Sequence, residues 1–194
     1  MKRLDLPVAE ERIRELRVGD EVALFGRVVT ARDAAHKLMV EKRPDFIRPF
    51  LQDGAIYHCG PVMKREKDGR WRAVAAGPTT SIREEPYEAE VMQEYRVRLI
   101  IGKGGMGPRT LEACRKVGGV YLHAVGGAAV LLADCIREVE QVFMLDELGV
   151  PEAFWVCRVE DFRGVVTMDA AGGSLHRTVL DDSRKKRDEL IAAR

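Results

Sequence analysis

The stretch Gly77-Pro78-Thr79-Thr80-Ser81-Ile82-Arg83 constrains this chain more than any other, because it sets a turn, three hydroxyls and an arginine between two ordered segments. Trp71 to Ala76 predicts an inward-running strand and Glu84 to Tyr95 predicts a helix, so the hydroxyls fall at a strand-to-helix turn. In such a turn the unpaired backbone N–H groups and the helix dipole favour an anion, and Ser and Thr are favoured cap residues. Arg83 adds a planar fork matched to a carboxylate or phosphate. A capped helix with a surface arginine would use the same seven residues, so the functional reading depends on whether other turns repeat the pattern.

Two do. Glu21 to Thr30 alternates and carries β-branched residues, which predicts a strand, and Ala31 to Lys37 opens a helix directly off it. Arg32 then stands at the first turn of that helix, where a cation opposes the dipole. It reaches back over the strand end toward a bound anion, with Asp33 supplying the charge the helix start prefers, or it pairs with a surface acid. Arg98 to Ile101 predicts a further strand running into Gly102-Lys103-Gly104-Gly105-Met106-Gly107-Pro108, with a helix from Arg109 to Val117. Formally this is the G-x-G-x-x-G dinucleotide pattern. It fails, because the acidic residue expected about 20 residues on is absent from VYLHAVGG and Pro108 is foreign to a turn that wraps a pyrophosphate. A P-loop fails as well, since Gly104 follows Lys103 where a hydroxyl should reach magnesium. What remains is a lysine on a glycine-flanked turn, suited to one carboxylate.

Elsewhere, Ala9 to Leu16 predicts a short helix, residues 44 to 54 a loop, Ala55 to Cys59 a strand, and Lys64 to Gly69 a charged hairpin turn. His58 reads as a hydrogen-bonded structural histidine rather than a ligand. Gly118 to Ala124 predicts a strand and Gly126-Gly127 the start of an apolar helix, AAVLLADC, buried on most sides. Val139 to Leu145, Phe154 to Val159 and Val165 to Asp169 predict three more strands, and residues 178 to 194 a charged helix. About eight strands and five or six helices, interleaved, indicate a mixed α/β domain.

Length and composition narrow the partners. With 194 residues the chain suits one sizeable core. The net charge of +1 argues against a nucleic-acid or membrane surface, so anion recognition must be local. Cys59, Cys114, Cys135 and Cys157 are scattered without a CxxC pair, which predicts no metal ligands in this chain and a reducing, cytoplasmic setting. Neither a signal peptide nor a membrane span is expected.

Four motifs in order, TARDAAH (30 to 36), GPTTSIR (77 to 83), IGKGGMG (101 to 107) and PEAFWVCRVEDF (151 to 162), resemble the β subunit, or C-terminal domain, of iron-sulfur hydro-lyases. These are the class I fumarate hydratases and the L-tartrate dehydratases. The resemblance covers residues 1 to 176 and leaves a charged helical tail, 177 to 194, outside it. It implies a mixed-sheet swivelling β/β/α fold that closes over a four-iron four-sulfur cluster carried by a partner α subunit, whose open iron acts on the departing hydroxyl. It implies a dicarboxylate substrate and a homo-oligomer or α2β2 assembly. By position in the motifs, Arg32, Arg83 and Lys103, with Thr80 and Gly102, would bind the substrate, and Thr79 would be the catalytic base. Asp33 and His36 would support Arg32. The family pattern commonly has Met after the motif arginine, where this chain has Glu84. Fumarate hydratase is the first expectation and L-tartrate dehydratase the alternative; a non-catalytic anion or nucleotide binding module is a third.

Overall fold

A run of alternating and β-branched residues makes Glu21–Thr30 the strand about which the other elements are arranged in the computed structural model, which describes residues 1–192. In chain order the first elements are β1 (Lys2–Asp5), α1 (Glu10–Arg14), β2 (Glu21–Thr30), α2 (Asp33–Lys42), α3 (Arg48–Leu51) and β3 (Ala55–Tyr57). A hairpin of β4 (Val62–Arg65) and β5 (Trp71–Ala75) follows, then α4 (Glu85–Tyr95), β6 (Leu99–Gly102) and α5 (Pro108–Val117). The chain continues through β7 (Val120–His123), α6 (Ala129–Asp134), β8 (Ile136–Phe143), α7 (Leu145–Leu148), β9 (Phe154–Met168) and α8 (Leu175–Ala192). The fold is mixed α/β, as expected. Residues 193 and 194 of the expected tail lie outside the described residues.

Strands β1, β2, β3, β6 and β7 run parallel, and β9 is antiparallel to β7, β8 and β2. Because β9 returns to β2, the strands β2, β3, β6, β7 and β9 close into a ring. The two-residue period of a strand then sends alternate side chains into two cores. Val28, Tyr57, Leu99, Ile101, Leu122 and Phe162 enter one; Val29, Ile56, Ile100, Tyr121 and Val156 enter the other, against Met39 of α2, Met92 of α4 and Cys114 of α5.

Four local expectations change. The segments 154–159 and 165–169 are one 15-residue strand, in which Asp161 takes a left-handed conformation (φ 53°) and the register to β2 shifts without ending the pairing. Residues 45–51 form a short 3-10 turn and α3, not a loop. Lys2–Asp5 adds an edge strand that its charged sequence conceals. The helix α6 is buried on one side only, since Val130 and Leu131 are 62% and 69% exposed. No helix among the described residues is long and apolar enough to cross a membrane.

The parallel strands β2, β3, β6 and β7 end at one edge, where Thr30 lies beside Tyr57, Tyr57 beside Ile101, and Gly102 beside His123. In α/β sheets this carboxyl edge is the usual place for ligands. All four motif turns leave or approach the sheet there.

Candidate functional site

Backbone pairing binds the turns to one another. Thr79 N–H donates to His58 O at 2.7 Å, Lys103 N–H donates to Thr79 O at 3.3 Å, and Ser81 N–H donates to Lys103 O at 3.0 Å. Thr80 and Lys103 thus form an isolated parallel bridge beyond the end of β6. Gly102 is required for this approach: a Cβ there would overlap Ser81 Oγ, which itself accepts from Tyr121 Oη at 2.9 Å. The hydroxyls do not cap the helix. Thr80, at the start of the 3-10 turn Ser81–Glu84, makes no side-chain cap bond, and Ser81 is spent on Tyr121. Thr79 makes no side-chain hydrogen bond among the described residues, so its hydroxyl is free to act on a ligand.

The cations share this edge. Arg83 forms an ion pair with Asp33 of α2, and its side chain remains 53% exposed, open to a further anion. Asp33 therefore meets Arg83, not Arg32. Arg32 runs over Gly60, where a Cβ would come within 2.5 Å of its Nη1, and it faces Glu152 Oε1 at 3.5 Å. Glu152 also accepts Ala34 N–H at 3.0 Å and so satisfies the start of α2. The dipole mismatch raised by Arg32 is resolved by a carboxylate from the distant PEAFWV segment.

Beneath the turns lies a buried polar group. Glu88 Oε2 is 3.0 Å from His36 Nε2 and 2.8 Å from His58 Nε2, and all three residues are fully buried. His36 Nδ1 lies 2.9 Å from Arg32 O. A carbonyl and a carboxylate only accept, so both nitrogens of His36 carry hydrogen and the ring is a cation. Burial pulls its pKa down, but the Glu88 charge and hydrogen bond raise it overall. His58 Nδ1 has no partner among the described residues, and burial pushes the His58 pKa down, which makes that ring neutral. Burial would raise the Glu88 carboxyl, yet His36 and the two imidazole donors hold it well below the usual carboxylate range. The three residues are close enough to resemble a metal cage. With both its nitrogens donating, His36 has no lone pair for a metal, and the group is a hydrogen-bonded ion pair with a second imidazole attached.

Glu84, one turn before Glu88, is also fully buried, and neither of its oxygens has a hydrogen-bond partner among the described residues. Burial drives its pKa up to about 8; the His36 charge pulls it back and the Asp33 carboxylate pushes it further. It is a neutral acid at pH 7.

The glycine-rich turn is closed to a pyrophosphate. Glu85 accepts from Gly107 N–H at 2.7 Å, Arg109 N–H at 2.9 Å and Thr110 Oγ1 at 2.6 Å, so a carboxylate from α4 occupies the start of α5. This is why the formal fingerprint does not make a nucleotide site. Replacing Glu85 with Ala should lower the unfolding free energy by about 1–2 kcal/mol, measured by denaturant titration; an unchanged midpoint would show that the cap is dispensable.

The cysteines do not suit a cluster. Cys59, Cys114 and Cys157 are buried, burial pushes each thiol upward (Cys59 to about 12), and among the described residues no three thiols converge. Cluster ligation needs thiolates gathered about one point.

Sequence reasoning found Thr79, Arg83, Lys103, Arg32 and His36, which the structure brings to one edge. It missed Glu85, Glu88 and Glu152, whose only signal is an acid one turn into a helix or before a strand. Comparison with known proteins agrees with the motifs. The family described as Fumarase C-terminus matches residues 1–179. A Geobacillus stearothermophilus protein provisionally named fumarate hydratase class I is 52% identical over 184 residues, covering 94% of this chain but 35% of that protein. The L(+)-tartrate dehydratase subunit beta of Escherichia coli K12 is 42% identical over 192 residues, covering 98% of this chain and 94% of the subunit. A provisionally named counterpart from Methanocaldococcus jannaschii is 42% identical over 182 residues, covering 93% of its length.

Proposed function

Because this chain belongs to the Fumarase C-terminus family, we propose that it is the β subunit of a two-subunit iron-sulfur hydro-lyase that interconverts fumarate and L-malate. The observation that carries the reading is the backbone pairing that holds Thr79 beside Lys103, with Arg83 and Arg32 at the same edge. The chain spans about a third of the fumarate hydratase relative but nearly all of the tartrate dehydratase β subunits. The name of the second relative, a subunit beta, supports a partner subunit. The cluster is assigned to that α subunit, since the thiols here do not suit it. Residues 1–176 are read as a swivelling β/β/α unit, in the cytoplasm and in a homo-oligomer or α2β2 assembly.

In this reading the substrate's two carboxylates take the half-exposed fork of Arg83, Arg32 and the Lys103 ammonium, with Thr80 and the Gly102 backbone beside them. Asp33 orients Arg83 and His36 orients the Arg32 backbone. Thr79 removes the proton from the carbon next to the one that bears the hydroxyl. Negative charge then builds on the adjacent carboxylate, and fixed cations there stabilise the transition state more than the ground state. A hydroxyl is a weak base in water, so its use depends on the positive field around the turn.

The higher identity to the fumarate hydratase favours fumarate, while the relatives named L(+)-tartrate dehydratase subunit beta favour L-tartrate as the second reading. Anaerobic reconstitution with the α subunit, assayed against fumarate, malate and L-tartrate, tests both. Activity should require both chains and fall on fumarate and malate. Turnover of L-tartrate alone would move the assignment to tartrate dehydratase, and an inert assembly with an intact cluster would overturn the hydro-lyase reading.

A further inference from the structure

The backbone anchors of the proposed site converge on one buried side chain. Glu88 Oε2 accepts from His36 and from His58, whose rings meet edge to face with centroids 5.1 Å apart. His36 in turn donates from Nδ1 to Arg32 O at 2.9 Å, so its ring fixes the residue that begins α2. His58 carries its main chain between the sheet and the hydroxyl turn: its N–H donates to Ile101 O at 2.8 Å and its carbonyl accepts from Thr79 N–H at 2.7 Å. Lys103 is tied to the same place through its bond to Thr79 O. One carboxylate on α4 thereby sets three segments that enter from α2, β3 and β6.

We propose that Glu88 is a positioning residue that holds Arg32 through His36, and Thr79 with Lys103 through His58, in register for substrate. The inference rests on the hydro-lyase reading above. The chemistry is specific to a charged acceptor. His36 keeps two N–H donors only while it is a cation, and a buried cation persists only beside a compensating charge. In the wild-type protein burial keeps Glu84 protonated and Arg83 engages Asp33, so Glu88 supplies that charge. With Gln at position 88 the ring becomes neutral and keeps a single N–H for Arg32 O; its Nε2 can then only accept, from the glutamine amide, so the charge-assisted bonds give way to neutral ones about half as strong. The tie between α2 and α4 is weakened although the volume is almost unchanged.

The test uses the assembled enzyme with Glu88→Gln, Glu88→Asp and Met92→Ala. Met92 is fully buried on the same helix, outside the hydrogen-bonded group, and serves as a stability control. Glu88→Gln should lower kcat about 10- to 100-fold, the usual cost of removing an orienting partner or displacing a reacting group. Glu88→Asp should recover part of that loss. Met92→Ala should lower Tm yet keep kcat within about twofold, a change that tenfold arithmetic counts as small. In amide and imidazole NMR of the full chain, Glu88→Gln should remove the second His36 N–H signal and shift the Thr79, Arg32 and Lys103 amides together. Stationary amides would overturn the inference whatever the activity, and so would an active wild type whose Glu88→Gln form keeps full kcat. A wild-type assembly inactive on all three acids, with the amide shifts as expected, would instead overturn the hydro-lyase reading alone.

Discussion

Reconstituted enzyme carrying Thr79→Ala should lose about 10²- to 10⁴-fold in kcat, the range for removing a positioned general base. Its KM should change little, because Thr79 bears no charge and the carboxylates are assigned to Arg32, Arg83 and Lys103. Thr79→Ser keeps a hydroxyl on the same backbone anchors and should retain most of the rate, with the loss traced to the freer rotation of an unbranched side chain. Exchange of the malate methylene proton with solvent isolates the step. Unimpaired exchange in the alanine variant would remove Thr79 from the role of base. The contrast with Glu88→Gln is informative, since that substitution leaves the hydroxyl in place and disturbs only what holds it.

The second large effect is on stability. Glu84 is buried without a hydrogen-bond partner among the described residues, and burial displaces its carboxyl from 4.5 to about 8. A group whose folded pKa is raised contributes its stability below the unfolded value and loses it as pH rises through the folded value. The protein should therefore weaken between about pH 5 and pH 8 through this residue alone, because the folded state holds a proton that the unfolded chain has released. Glu84→Gln removes the ionisation, and the gain relative to wild type should grow by on the order of 3–4 kcal/mol between pH 5 and pH 9. Unfolding by denaturant at several pH values measures it. Parallel curves for the two proteins would show that Glu84 is ionised throughout. The groups that bear on it are His36, Asp33 and Glu88, of which only His36 favours the charged form.

Most of the sheet was legible because its strands are apolar, β-branched and bounded by glycine. The elements that escaped share a physical reason. Lys2–Asp5 buries a single side chain, Leu4, among three charged ones that face water at a sheet edge, too short a pattern to declare a strand. The long β9 carries Glu160-Asp161 and Arg163-Gly164 in its middle, and its pairing with β2 crosses them through a shift of register. The candidate turns could be read because glycines, hydroxyls and cations stand together in short stretches. Glu88 could not, since α4 carries four glutamates and nothing local distinguishes the one that turns inward. Glu152 escaped for a similar reason: its partner is the start of a helix more than a hundred residues earlier.

The anchoring of Thr79, Lys103 and Arg32 to neighbouring strand ends of one ring has a mechanical consequence. Were the cations mounted on separate lobes, closing over a partner would reshape the grip at each turnover, and the substrate would share the cost of that rearrangement. Mounted on a single frame, they would travel as a unit in the proposed assembly, and approach and release could be hinged elsewhere without loosening the hold on the acid. Substitutions at such a hinge would then alter how often the jaws meet, while leaving untouched how firmly they bite.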